Sequence, residues 1–199
     1  MWNNPPVCSP LNACRSTHPI QLSGVAAHPM DGACRPTVED CDRATLDPLE
    51  TYPMEELVPR DPAYADRVRD SFDQQAFMKT IGATIGAVRP GGCEVRLQVS
   101  RALGQQHGYV HAGVTSAIAD TAAGYAAFTL FPTDSEVLTI EFKINLLAPA
   151  DATELIARAR VVRAGKTITV VQSDVFGVSG EIEKHVASMQ ATMICIRNA

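Results

Sequence analysis

The sequence predicts an α+β domain in which a curved antiparallel β-sheet is wrapped around one long central helix. Two observations lead to this prediction. The hydrophobic patterns follow the order helix, two strands, a long apolar helix and four strands, with short glycine-containing turns between strands. The long helix is apolar on nearly all sides, so other elements of the fold must enclose it.

Local patterns place the individual elements. Pro62 suits the first turn of a helix whose apolar residues recur at helical spacing. Pro90-Gly91-Gly92 is a turn signal between two strand-like segments. The predicted helices span 63–78 and 113–130, and the predicted strands span 83–88, 94–100, 137–147, 154–163, 166–176 and 185–196. A sheet of these strands around the second helix is the hotdog architecture.

The clearest strand signal lies in residues 137–147, where apolar and polar side chains alternate strictly. Leu138, Ile140, Phe142, Ile144 and Leu146 oppose Thr139, Glu141, Lys143 and Asn145. The pattern predicts a single regular strand with one apolar and one polar face.

Residues 1–62 differ in composition from residues 63–199. Ten of the thirteen prolines lie between Pro5 and Pro62, in a stretch without helical or strand periodicity. Such a stretch buries too little apolar surface to offset the entropy lost on ordering. We therefore expect a disordered or non-native extension over residues 1–62 and a folded domain over residues 63–199.

Composition also limits the classes of function. The formal net charge is −5 and no run of Lys or Arg is present, which argues against a nucleic-acid partner. The six cysteines include no Cys-x-x-Cys pair, so the pattern does not predict a zinc site. The beginning of the chain lacks the features of a secretory signal, so we expect a cytoplasmic protein.

Asp120 is the candidate catalytic residue that the sequence indicates most strongly. It is the one charged side chain between His111 and Asp134, inside the long apolar segment 110–131. That segment has about the length of a membrane span, but a central carboxylate and missing interfacial anchors favour a core helix and no membrane partner. Burying an unpaired carboxylate costs free energy, so Asp120 either pairs with a basic group or water, or serves as a general base or nucleophile.

The segment that leads into this helix is polar and contains glycine, from Gln105 to Gly113. The first N–H groups of a helix have no intrahelical acceptor, and together with the helix dipole they suit a developing oxyanion. Asp120 lies about two turns after Gly113.

These residues carry a specific resemblance to a known family. The stretch 105–126 resembles the signature of the PaaI-type hotdog thioesterases, which is Asn-x-x-Gly-x-x-His-Gly-Gly followed by a small-residue helix containing Asp. Gly108, His111, Gly113 and Asp120 occupy the corresponding positions. The segments Thr139–Asn145, Ala148-Pro149-Ala150 and Gly165-Lys166-Thr167 are also similar to family segments, so the resemblance covers about residues 70–197.

The resemblance implies a role for each matching residue in acyl-CoA hydrolysis. Asp120 would activate water or attack the thioester carbonyl directly, and the backbone N–H of Ala112 or Gly113 would hold the thioester oxygen. Thr139 would help to place the water, unless it is simply an outward-facing strand residue. His111 and Gly108 would shape the helix entry and contact the substrate, unless His111 only caps or packs the helix. Arg163 and Lys166 are candidates for binding the CoA phosphates, unless they only form a solvated hairpin tip.

The chain departs from the family signature at two positions. Gln105 stands where the family has Asn, and Ala112 replaces the first Gly of His-Gly-Gly. Gln106 or His107 could compete with Gln105 for the role of the family Asn. The chemistry stays possible with both changes, and we expect them to alter substrate choice or lower the rate. The resemblance also implies edge-to-edge pairing into a homodimer or homotetramer, in which Asp120 of one subunit faces Gln105 and Ala112 of the other.

Three functions remain open at this point. The first is an acyl-CoA thioesterase that converts aryl-acetyl-CoA or medium-chain acyl-CoA to free acid and CoA. The second is a non-catalytic acyl-CoA-binding hotdog module that acts as a sensor or carrier. The third is a hotdog dehydratase or hydratase, for which the sequence lacks the second half of a His–acid pair. No metal or nucleotide cofactor is implied, since no glycine-rich phosphate loop is present.

Overall fold

A computed structural model of the chain describes residues 57–197. The predicted extension lies outside the described residues except for 57–62, and so do four of the six cysteines. The helices are α1 (Tyr64–Phe72), α2 (Ala76–Ile81) and α3 (Ala112–Phe128), with a short 3-10 helix at Arg101–Leu103. The strands are β1 (Ala83–Arg89), β2 (Gly92–Gln98), β3 (Ser135–Leu146), β4 (Glu154–Ala164), β5 (Ile168–Ser179) and β6 (Ile182–Arg197).

The six strands form one antiparallel sheet in the order β1-β2-β4-β5-β6-β3. Helix α3 packs against β2, β4, β5, β6 and β3, so the sheet encloses it on one side. The predicted α+β hotdog fold is therefore confirmed, with the long apolar helix at its centre. Strand β3 follows α3 in the chain but joins the far side of the sheet, where it forms an edge.

Small side chains allow α3 to lie close to the sheet. Ala119, Ala122, Ala123 and Ala126 are fully buried, and the larger Ile118 and Phe128 fill the remaining space. Opposite them lie the helix-facing residues of the strands, among them Val95, Leu155, Val171, Val175, Met189 and Met193. Burial of this apolar surface is the main source of stability.

A β-bulge interrupts the regular strand predicted for residues 137–147. Thr139 pairs with Met193, whereas Glu141 already pairs with Thr192, so Ile140 is an extra residue in β3. A one-residue insertion turns the following side chains to the other face of a sheet. Thr139, just before the bulge, faces α3 on the same side as Met193. The apolar positions before and after the bulge lie on different faces. The expectation of one uninterrupted alternation is wrong at this point.

The predicted helix 63–78 is divided into α1 and α2. Residues between Phe72 and Ala76 form turns, and Gln75 begins α2 with an extended backbone (ψ 99°). The interruption brings the Gln75 amide to the buried Tyr125 hydroxyl of α3, to which it donates a hydrogen bond of 2.8 Å. Apolar periodicity continues across the break, so the sequence pattern did not reveal it.

Arg67 of α1 holds the C-terminal end of α3. Its guanidinium donates to the backbone carbonyls of Pro132 at 2.6 Å and Phe131 at 2.8 Å, and it lies 4.1 Å from the ring centroid of Phe128. Asp61 is 3% exposed and pairs with Arg67 Nε at 3.0 Å. The arginine thus ties α1 to the last residue of α3 and to the carbonyls of the segment that follows the helix.

Candidate active site

Asp120 lies in the middle of α3, on the side of the helix that faces the β3 edge. Its side chain is half-buried, and its Oδ1 accepts a hydrogen bond of 2.8 Å from the Thr139 hydroxyl. Burial raises the pKa of the Asp120 carboxyl, and the hydrogen bond from Thr139 opposes this shift in part. No ion-pair partner of Asp120 occurs within residues 57–197. The arrangement leaves Oδ2 free to act as a base or nucleophile.

His111 is the N-cap of α3. Its backbone is extended (φ −63°, ψ 136°), and its Nδ1 accepts a hydrogen bond of 2.9 Å from the Gly113 N–H. The Gly113 N–H, one of the two predicted oxyanion donors, is therefore engaged within the protomer. The Ala112 N–H has no acceptor among the described residues and remains available. Of the roles considered for His111 from the sequence, the structure shows the cap.

An open cavity of about 550 Å³ lies at this helix terminus. The loop before α3 lines one side with Gln105, Tyr109, His111 and Ala112, and residues 146–150 line the other. The position of Tyr109 in the cavity lining was not predicted from the sequence. Tyr109 is 38% exposed, and an aromatic residue in a polar loop is a signal that could have indicated a binding site. The cavity is thus lined both by Ala112, whose backbone N–H has no acceptor among the described residues, and by the side chain of Gln105.

Gln105 is held by the turn that it begins. Its backbone N–H donates to the Tyr109 carbonyl at 2.8 Å, and its Oε1 accepts from the His107 N–H. Its Nε2 has no acceptor in the described part of the chain and can donate into the cavity. Gly108 closes the turn with φ +89°, a conformation that side chains disfavour, and does not line the cavity.

The protomer does not bring Asp120 together with the helix terminus. Ala112 and Asp120 are eight residues apart on one straight helix, which corresponds to about 12 Å along the axis. A single thioester carbonyl is too small to contact both groups. The predicted site residues therefore form two half-sites within the protomer, one around Ala112 and one around Asp120.

Arg163 and Lys166 lie at the exposed tip between β4 and β5. Gly165 of this tip lines a small cavity with Leu130 and Phe131, which follow the C-terminal end of α3. The two cations are thus far from the Ala112 half-site of the same protomer, at the opposite end of the central helix.

Two general features complete the description of the site. Between residues 57 and 197, no three His, Cys, Asp or Glu side chains are arranged to hold a metal ion. Within the same range, α-helices long and apolar enough to cross a membrane are absent.

Comparison with known proteins connects this geometry to a family. Residues 107–183 match the sequence profile of the thioesterase superfamily. A 1,4-dihydroxy-2-naphthoyl-CoA hydrolase from Listeria monocytogenes is 30% identical over 117 residues, which are 59% of this chain and 93% of that protein. The chain belongs to the thioesterase superfamily.

Solved structures agree with this membership. A thioesterase family protein from Silicibacter pomeroyi is 43% identical, with a TM-score of 0.67 over 68% of this chain and 99% of that one. The PaaI protein from the phenylacetic acid degradation operon of E. coli has a TM-score of 0.60 at 23% identity, covering 68% and 94% of the two chains. At that identity the likeness concerns the fold alone. The profile match and the Listeria relative confirm the predicted hotdog thioesterase family and the class of thioester hydrolases, and the PaaI protein shares the fold.

Proposed function

We propose that this thioesterase hydrolyses acyl-CoA thioesters to the free acid and CoA, with Asp120 as the activating group. The observation that carries the proposal is the half-buried Asp120 carboxylate, which accepts a hydrogen bond from Thr139 and has no basic partner among the described residues. Burial raises its pKa and makes the ionised form a better proton acceptor than an exposed aspartate.

In the hydrolysis, a water oxygen forms a bond to the thioester carbonyl carbon while Asp120 takes one proton of that water. The tetrahedral intermediate then collapses, the carbon–sulfur bond breaks, and the thiolate leaves with a proton returned by Asp120. In direct attack, an Asp120 oxygen forms a bond to the carbonyl carbon while the carbon–sulfur bond breaks and CoA leaves as the thiolate. Water then cleaves the resulting acyl–aspartyl anhydride to the free acid and the Asp120 carboxylate, and its remaining proton goes to the thiolate. Both routes require a carboxylate within hydrogen-bond reach of the reacting atoms.

The Ala112 N–H and the Gln105 Nε2 are the proposed donors to the thioester oxygen. Both are without acceptors among the described residues, and both border the same cavity. Donors aimed at the developing negative charge stabilise the transition state more than the ground state. The Gly113 N–H is excluded from this role as long as His111 accepts its hydrogen bond.

We propose a homodimer in which the half-site of one subunit completes that of the other. The separation of about 12 Å between Ala112 and Asp120 along α3 supports this arrangement, since one carbonyl has to meet both. The exposed edge strand β3 carries Leu138, Ile140 and Phe142, which are 56%, 53% and 43% exposed. Such an apolar edge is suited to pairing with a second copy. A tetramer built from such dimers and a cytoplasmic location stay predictions.

The substrate classes proposed are aryl-acetyl-CoA and medium-chain acyl-CoA. The name of the Listeria relative, a naphthoyl-CoA hydrolase, supports an aromatic acyl group. The exposed cations Arg163 and Lys166 remain candidates for the CoA phosphates, and would serve the half-site that the partner subunit completes.

The test is release of free thiol from acetyl-, phenylacetyl-, octanoyl- and palmitoyl-CoA by the purified protein. Hydrolysis of phenylacetyl- or octanoyl-CoA that depends on Asp120 is the expected result. Binding of these thioesters without any thiol release contradicts the proposal and would instead identify an acyl-CoA-binding module.

A further inference from the structure

Gly124 lies in the interior of α3, where glycine destabilises a helix relative to alanine. Two structural reasons usually account for such a glycine, and neither applies. The positive-φ glycines among the described residues are Gly82, Gly91, Gly108 and Gly180, so Gly124 does not need special backbone freedom. Among residues 57–197, a Cβ placed on Gly124 would meet no neighbouring heavy atom within 4 Å, so no described element approaches it closely. The space above Gly124 is therefore open in the described part of the protomer.

This open space adjoins Asp120. Gly124 is four residues later on the same helix, which places it about 6 Å further along the axis and roughly 40° around it. Both residues are half-buried, as are Ala117 and Thr121, so this face of α3 is partly shielded and partly open.

Two walls flank the space above Gly124. Strand β3 runs beside α3. At one level, Thr139 contacts Asp120. At another, the carbonyls of Ser135 and Phe128 both accept hydrogen bonds from the Arg67 guanidinium. The half-buried Val137 therefore lies at about the level of Gly124. On the other side, Met78 of α2 lies with its Sδ 3.6 Å from the Thr121 hydroxyl.

The two directions along α3 from Asp120 differ in polarity. Toward the N-terminal end, the helix presents Ser116 and the exposed Gly113. Toward the C-terminal end, Gly124 is flanked by two apolar side chains, Val137 of β3 and Met78 of α2. An apolar acyl group is bound more favourably toward the C-terminal end, because it buries apolar surface there. The charged CoA moiety keeps its solvation toward the N-terminal end.

We propose that the space above Gly124 receives the acyl group of the substrate, and that the missing side chain sets the size of acyl group accepted. The proposal rests on the proposed function, since it takes Asp120 as the group that activates attack on the thioester carbonyl. A phenyl ring or a chain of several carbons reaches from a carbonyl beside Asp120 to the level of Gly124, whereas an acetyl group does not. Gly124 is therefore a specificity-determining position for this chain.

The test compares wild type with Gly124→Ala and Gly124→Leu on acetyl-, phenylacetyl- and octanoyl-CoA. The leucine variant is expected to lower kcat/KM for phenylacetyl- and octanoyl-CoA at least ~10-fold, as expected for steric exclusion from an apolar pocket. Hydrolysis of acetyl-CoA by the same variant is the internal control and should change less than about threefold. Gly124→Ala should raise the melting temperature and show a smaller change in the same direction.

Other results overturn the proposal in recognisable ways. Unchanged selectivity in Gly124→Leu would show that the acyl group does not occupy this space. An equal loss on all three substrates together with a smaller sedimenting species would show that a second subunit fills it. Wild type without activity on any thioester would remove the proposed function, and this inference with it. Should Gly124→Leu not fold, Gly124→Ala decides, because one methyl group meets no neighbour within 4 Å.

Discussion

The Thr139 hydroxyl donates a hydrogen bond of 2.8 Å to Asp120 Oδ1, across the boundary between the edge strand β3 and the central helix α3. Thr139 pairs with Met193 just before the bulge at Ile140, and its side chain faces the helix. It fixes one carboxylate oxygen and leaves the other free. Thr139 is in this view a positioning residue for Asp120, and the family-based expectation that it places the water stays a prediction.

Replacement of Asp120 by asparagine is expected to reduce kcat/KM at least ~100-fold, because the amide does not accept a proton from water. The amide side chain of this variant retains an oxygen for the Thr139 hydroxyl, so the fold should be preserved. Thiol-release kinetics and circular dichroism measure the two effects. Activity within about threefold of wild type would refute the role of Asp120.

The same substitution is expected to increase stability at neutral pH. Burial raises the folded-state pKa of Asp120 above its unfolded value, so the protonated carboxyl favours the folded state. That contribution is complete below the unfolded pKa and is lost as pH rises through the folded pKa. Asp120→Asn removes the cost of the buried charge, and denaturant unfolding of both proteins at neutral pH should show the variant to be more stable. Equal stability of the two proteins from acidic to neutral pH would argue against a raised pKa.

The pH dependence of kcat/KM in wild type should show an acidic limb, with activity increasing as Asp120 ionises. Because burial raises the pKa of Asp120, the limb should lie above the ordinary aspartate value of about 3.9. Since the Thr139 hydrogen bond lowers this pKa, Thr139→Val should move the limb to higher pH and reduce kcat/KM about 10-fold at neutral pH. Thr139→Ser keeps the hydroxyl and is the control. A limb that is identical in the valine variant would contradict the positioning role.

Ala112→Pro tests the oxyanion donor without removing the helix. Ala112 is the first residue of α3, where proline is tolerated, and the extended backbone of His111 (φ −63°, ψ 136°) is compatible with a following proline. The substitution removes the N–H, and loss of one such donor typically lowers kcat about 100- to 1000-fold. Ala112→Gly retains the N–H and should remain active. An active proline variant with a normal melting temperature would assign the oxyanion to another donor.

Arg67→Met is expected to destabilise the domain by about 3–5 kcal/mol. The substitution leaves the buried Asp61 without its basic partner and removes the hydrogen bonds to the carbonyls that follow α3. Equilibrium unfolding in urea gives this difference. Arg69→Met provides a matched control, since Arg69 is exposed and, within residues 57–197, donates only to the Ala65 carbonyl one turn earlier. The control should remain within about 0.5 kcal/mol of wild type. Similar losses for both variants would contradict a special role for Arg67.

The order of elements and the position of Asp120 inside a core helix could be predicted because both depend on local patterns. Alternation, helical periodicity and turn glycines each extend over a few residues, and a carboxylate in an apolar helix is conspicuous in any sequence. The resemblance to the family added roles for Ala112 and Gln105. These roles stay predictions until they are tested.

The contacts between distant residues could not be predicted from those patterns. The strict alternation of 137–147 conceals the bulge, because an extra apolar residue changes the pairing with β6 and leaves the sequence period intact. The break after Phe72 places Gln75 against Tyr125, which lies 50 residues later in the chain.

The sequence by itself thus determined a long apolar helix with a central carboxylate, followed by four strands, since periodicity and composition act within each element. Only the tertiary structure decided that β3 lies at the sheet edge beside β6, that Thr139 faces Asp120, and that Ala112 is about 12 Å from Asp120. The physical reason is that strand register and neighbour choice are set by packing against α3, which involves residues far apart in the chain.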